Sequence, residues 1–163
     1  MGNVVGGRPI LYVNTPVEQI REITASILAS GRAVWFGADC GQQSDRASGL
    51  FVEGLYDFDN LFGVDFSTSK EQRVNTGESA MNHAMLFTGV DIDEEGNARR
   101  FRVENSWGEE PGEKGFFTMD AAWFDANVFE VAVHVDDLPE ELRAVITEEP
   151  LHLPAWDPMG ALA

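Results

Sequence analysis

Val17, Ile20, Ile23, Ile27 and Leu28 recur at three- and four-residue spacing, the period of a helix with one apolar face. Thr15-Pro16-Val17-Glu18 supplies a start: Thr15 is placed to cap, Pro16 suits the first helical position and Glu18 completes a capping box. Gly31 is the expected left-handed stop. Ala33 to Phe36 is a short apolar run closed by Gly37, which predicts a buried strand. From Ala38 to Arg73 the pattern loses its period, and only short helical turns are expected, near Asp57 to Phe62 and Lys70 to Arg73. Apolar residues return from His83 to Val90. Asp93-Glu94-Glu95-Gly96-Asn97 is a turn cluster. Arg99 to Ser106 then alternates, Phe101 and Val103 on one face, Arg100 and Arg102 on the other, so the two segments predict a β-hairpin. A turn over Glu109 to Glu113 leads to a strand at Gly115 to Met119. Asp120 is placed to cap a short helix holding Ala121, Trp123 and Phe124. Phe129 to Val135 reads as another strand and Leu138 to Ile146 as a short helix. Leu151 to Ala163, with Pro150, Pro154 and Pro158, is expected to be an extended tail.

Composition narrows the class. A chain of 163 residues that is 44% apolar and 10% aromatic suits one globular α+β unit with a real core. A net charge of −17 argues against binding nucleic acid or an anionic membrane surface, both of which need basic patches. The single cysteine, Cys40, rules out an intrachain disulfide. No signal-peptide pattern or membrane-length apolar run is visible, so a cytoplasmic setting is expected.

The chemistry concentrates on the predicted hairpin. His83 opens one strand and Asn105-Ser106-Trp107-Gly108 closes the other. Antiparallel pairing puts the start of one strand beside the end of the next, so imidazole and carboxamide can meet. A histidine oriented by an acceptor is a general base and acid, and a neighbouring indole shields that bond from water. A lone histidine in an apolar strand is ordinarily a core residue; the order and spacing of the whole group make it specific. Other groupings are weaker. His83, His134 and His152 with Cys40 fit no zinc spacing. Asp91, Asp93, Glu94 and Glu95 with Gly96 lack the alternating ligands and terminal glutamate of an EF-hand and read as a solvated hairpin tip. No metal or other cofactor is expected.

The same residues resemble the bleomycin hydrolase and aminopeptidase C branch of the papain-like cysteine peptidases, in their C-terminal portion. The resemblance is carried by Val4-Val5-Gly6-Gly7-Arg8, Ala33 to Gly37, Gly77-Glu78-Ser79-Ala80-Met81-Asn82-His83-Ala84-Met85, Arg102 to Gly108, and the closing run Leu153 to Ala163. It implies a papain-like fold, this chain corresponding to the barrel-like β lobe with a preceding helix and an extended C-terminal tail. It implies His83 as general base and acid, Asn105 as its orienter and Trp107 as their cover. It implies that the Ala163 carboxylate receives the amino terminus of a peptide substrate, which makes the activity that of an aminopeptidase working through an acyl-enzyme thioester. A homohexamer is implied as the assembly.

The resemblance also places the nucleophilic cysteine and the oxyanion-hole glutamine upstream, in a helical lobe that nothing here matches. Cys40 stands in Gly37-Ala38-Asp39-Cys40-Gly41, not in the surroundings of a papain nucleophile, and is expected to be structural; neither Gln42 nor Gln43 is assigned as an oxyanion donor. Residues 1–163 are therefore expected to be one partial domain, a truncated form that is inactive without a cysteine-bearing N-terminal half. An apolar face is expected to be exposed near His83 and Trp107. The alternatives are a non-catalytic assembly or binding module and a remnant of the same family.

Overall fold

In a computed structural model of the chain, residues 5–6, 11–154 and 156–157 are described. Helix α1 (Val17–Ala29) carries the anticipated apolar stripe, with Ile23, Ile27 and Leu28 buried. Its start differs from the expectation. Pro16, with ψ 143°, is the cap, and no side chain caps the first turn; the Thr15 hydroxyl is instead occupied by the Gln19 side chain. Gly31, at φ 84°, ends the helix as expected.

Seven strands follow: β1 (Val34–Ala38), β2 (Ser44–Asp45), β3 (Leu50–Phe51), β4 (His83–Ile92), β5 (Ala98–Glu104), β6 (Phe116–Asp120) and β7 (Val128–Ala132). They form one sheet in the order β2-β3-β6-β5-β4-β1-β7. All pairings are antiparallel except β3 with β6. Register shifts between Gly37 and Ala38, and within β4 at Phe87/Gly89 and Asp91/Ile92, bend the strands and increase their twist.

Helices α1 and α4 (Ala121–Asn127) pack on one face of this sheet and on each other. Asp120 caps α4 as anticipated, its carboxylate accepting from the Trp123 N–H at 2.7 Å. Phe51, Phe87, Phe101, Val103, Met119, Trp123 and Phe124 are fully enclosed between helices and sheet. Each such aromatic contributes about 1.5–3 kcal/mol of burial, and Phe36 stacks on Phe87 with ring centroids 3.7 Å apart.

The segment without periodicity contains β2, β3 and two short helices, α2 (Phe58–Phe62) and α3 (Lys70–Thr76). The capping box falls on α3, where Ser69 and Gln72 exchange side-chain and backbone bonds. Lys70 and Arg73 of α3 reach the carboxyl end of α4. The Lys70 ammonium donates to the Asp125 carbonyl at 3.2 Å and to that of Val128. The Arg73 guanidinium donates to the Asn127 side chain at 2.9 Å and the Ala126 carbonyl at 2.7 Å. Two cations on the last carbonyls of a helix satisfy acceptors that have no partner within it and complement its dipole. A 3₁₀ turn (Val135–Asp137) and α5 (Glu140–Val145) follow β7. Leu151–Pro154 has no regular secondary structure, and residues 155 and 158–163 of the expected tail lie outside the described residues.

Candidate active site

The β4–β5 hairpin pairs Leu86 with Glu104 and Phe87 with Val103, which brings the beginning of β4 beside the chain that leaves β5. His83 Nε2 lies 2.8 Å from Asn105 Oδ1. The same oxygen accepts the Ser106 backbone N–H at 2.8 Å, which fixes the orientation of the carboxamide. An oxygen offers no proton, so the hydrogen sits on His83 Nε2 and Nδ1 is the basic nitrogen. The His83 and Trp107 rings stack at 5.0 Å and 19°. The Trp107 ring also meets the edge of Phe117 and the Arg46 guanidinium at 4.9 Å.

The loop that presents Asn105 and Trp107 is closed by its own backbone. The Asn105 N–H donates to the Gly115 carbonyl at 3.1 Å, and the Gly115 N–H to that of Pro111 at 3.1 Å. Lys114 and Gly115 are both left-handed, φ 53° and 85°, which turns the chain into β6. A Cβ on Gly115 would stand 2.6 Å from the Gly108 carbonyl oxygen, so only glycine fits there.

His83 is held from the other side by β1. Ala38 is its strand partner, and the Asn82 N–H donates to the Ala38 carbonyl at 3.1 Å. Cys40, two residues on, is half-buried. Burial, and then the neighbouring Asp39 carboxylate, push its thiol above the ordinary range, the opposite of what a nucleophilic thiolate needs. Gln42 donates its amide to Asp39 and to the Glu78 carbonyl, and Gln43 accepts from the Tyr56 N–H, so both glutamines serve the local fold.

Of the residues singled out in the sequence, His83, Asn105 and Trp107 come together, and Ala163 lies outside the described residues. Sequence reasoning missed Arg46, Phe117 and the Asp39 group: Arg46 and Asp39 meet Trp107, Ser79 and Asn82 far along the chain, and Phe117 reads only as a residue of the next strand. The apolar exposure expected near His83 and Trp107 is limited at Trp107 itself. Trp107 is half-buried because His83, Arg46 and Phe117 occupy its surface. Among the exposed large apolar side chains, one group lies at 56–66, with Leu61 at 71% and Phe62 at 63%, and Trp35 of β1 is another at 58%. Among the described residues no three His, Cys, Asp or Glu side chains converge as a metal centre would require, and no helix is long and apolar enough to cross a membrane. The hairpin tip is organised by Asp93, whose Oδ1 accepts from the Glu95 and Asn97 N–H groups.

The chain is an α+β unit in which a histidine–asparagine pair lies against a tryptophan beside the β4–β5 hairpin of one seven-stranded sheet, the arrangement that the papain-like resemblance implies for a β lobe. The profile of the Peptidase C1-like family matches residues 1–160. Aminopeptidase C of Lactobacillus helveticus is 45% identical over 166 residues, covering all of this chain and 37% of that protein. Human bleomycin hydrolase is 46% identical over 166 residues, again covering all of this chain and 36% of its own length. The crystal structure of PepW from Lactobacillus rhamnosis HN001 superposes with a TM-score of 0.93 at 45% identity, over 99% of this chain and 37% of that one. The chain belongs to the Peptidase C1-like family, and it spans little more than a third of the relatives it matches.

Proposed function

We propose that the chain supplies the His/Asn half of a cytoplasmic cysteine aminopeptidase. The observation that carries this reading is the 2.8 Å bond from His83 Nε2 to an Asn105 oxygen that Ser106 holds in place. With Nε2–H committed, His83 Nδ1 takes the thiol proton. The thiolate attacks the carbonyl of the first peptide bond, and Nδ1 returns the proton to the departing amine as the C–N bond breaks. Water then attacks the thioester, giving its proton to Nδ1, and the free acid and thiol are restored. Asn105 orients the ring, Trp107 keeps water from that bond, and the Ala163 carboxylate pairs with the substrate's ammonium group. The thiol comes from a cysteine-bearing lobe of the kind the resemblance implies; Cys40, with its raised thiol pKa, does not serve.

The test is release of the chromophore from aminoacyl p-nitroanilides. The chain alone gives no thiol-dependent turnover. Combined with a cysteine-bearing lobe from an aminopeptidase C, it gives turnover that His83→Ala removes and that one residue added after Ala163 strongly lowers. Turnover by the chain alone, abolished by Cys40→Ser, would refute the assignment. A second reading, an assembly module without chemistry, is favoured by the exposed aromatic segment around Phe58, Phe62 and Phe66. It requires self-association, up to the expected hexamer, that is unaffected by His83→Ala in sedimentation velocity.

A further inference from the structure

The Asp39 carboxylate is 4% exposed, yet no cation pairs with it among the described residues. Four neutral donors hold it instead. Oδ1 accepts from the Asn82 amide at 2.5 Å and the Gly41 N–H at 3.3 Å. Oδ2 accepts from the Ser79 hydroxyl at 2.8 Å and the Gln42 amide at 3.2 Å. A buried carboxylate bears a large desolvation cost, which only well-placed donors offset. Removing the carboxylate would leave these donors without their acceptor, so the group stands or falls together.

The Asn82 side chain is gripped at both ends. Its Nδ2 donates to Asp39, and its Oδ1 accepts the Cys40 N–H at 3.0 Å. Its backbone N–H is bound to Ala38. Asn82 immediately precedes His83, and Ser79 anchors the approach to the same point. We infer that Asp39 is a positioning residue for His83: through Asn82 and Ser79 it clamps the entry to β4, so that the imidazole meets Asn105 at one fixed angle. Asn105 then sets the ring's tautomer, while Asp39 sets where the ring stands. The catalytic meaning of this clamp rests on the reading of His83 proposed above.

Ring ¹⁵N shifts of His83 in the labelled full chain, at a pH where the imidazole is neutral, test the clamp without any turnover. The parent shows one tautomer, with the proton on Nε2. Asp39→Ala and Asn82→Ala both let the ring sample two tautomers, and the separation between its two nitrogen shifts falls by at least half. Leu142→Ala, which opens a cavity in the core away from His83, lowers the melting temperature but leaves the separation unchanged. If Asp39→Ala does not fold, Asn82→Ala decides. Parent-like shifts in the clamp variants, or an equal collapse in Leu142→Ala, would overturn the inference. Because no activity is read, this result and the fate of the catalytic proposal are separable.

Discussion

Lys70 gives the sharpest quantitative prediction. Its ammonium sits at the α3–α4 junction, over the Phe129 ring at 4.8 Å and against two helix-end carbonyls. Burial, then the nearby Arg73 charge, bring its pKa from the ordinary 10.5 to about 8, with Asp125 pulling weakly the other way. At roughly 1.36 kcal/mol per pKa unit, that is about 3 kcal/mol of folding free energy. The unfolded chain keeps the lysine proton up to 10.5, while the folded chain releases it near 8. Between those values the unfolded state binds more protons, so stability rises with pH. Below about 8 both states are charged and the penalty is fully present; above 10.5 both are neutral and it is gone. Urea unfolding of the parent and of Lys70→Met, measured from neutrality to above this window, isolates the effect. Cys40 and Tyr12 hold their protons more tightly in the fold, chiefly through burial, and oppose the rise, but they do so in both proteins and cancel in the difference. The stability of the parent relative to Lys70→Met should climb by about 3 kcal/mol across the window. A difference that stays flat, or falls, would refute the claim that desolvation outweighs the carbonyl bonds at this site.

Gly115→Ala should cost about 2–4 kcal/mol, since it forces a left-handed φ and a contact with Gly108; thermal unfolding measures this, and a loss of His83–Trp107 ring-current shifts should accompany it. Trp107→Ala should cost about 2 kcal/mol, less than a full core truncation because the ring is half-buried, and should speed solvent exchange of the His83 Nε2–H. Cys40→Ser should change stability by no more than about 1 kcal/mol. In the folded parent, the Cys40 thiol should react with Ellman's reagent more slowly than in the urea-unfolded chain, since its folded pKa is raised.

The elements legible in the sequence were those whose signal is local. The stripe of α1, the Asp93 turn and the alternation of β5 each lie within one segment, and the hairpin brings His83 to Asn105 from two such signals alone. The cap of α1 differs from the sequence expectation because the Thr15 hydroxyl has a second partner, Gln19, one turn ahead. The 38–73 segment stayed opaque for a different reason. Strands β2 and β3 are two residues each, too short for a period, and β3 exists by parallel pairing to Thr118 and Met119. Lys70 and Arg73 find acceptors more than fifty residues away, and Asp39 finds Ser79 and Asn82 forty residues on. Polar networks of that reach leave no spacing to read.

The hairpin that joins His83 to Asn105 also bears on the order of folding. The two residues are separated by 22 positions, and the contact between them closes through a single turn. Antiparallel hairpins form in about 1–10 μs, far faster than long-range strand pairing. The parallel register of β3 on β6 must wait for a chain closure of nearly seventy residues. The imidazole and its orienting amide can therefore find each other before the rest of the sheet is assembled. The contact between imidazole and carboxamide can thus form early, while the Asp39 clamp, which closes across the β1–β4 pairing over more than forty residues, fixes its angle later.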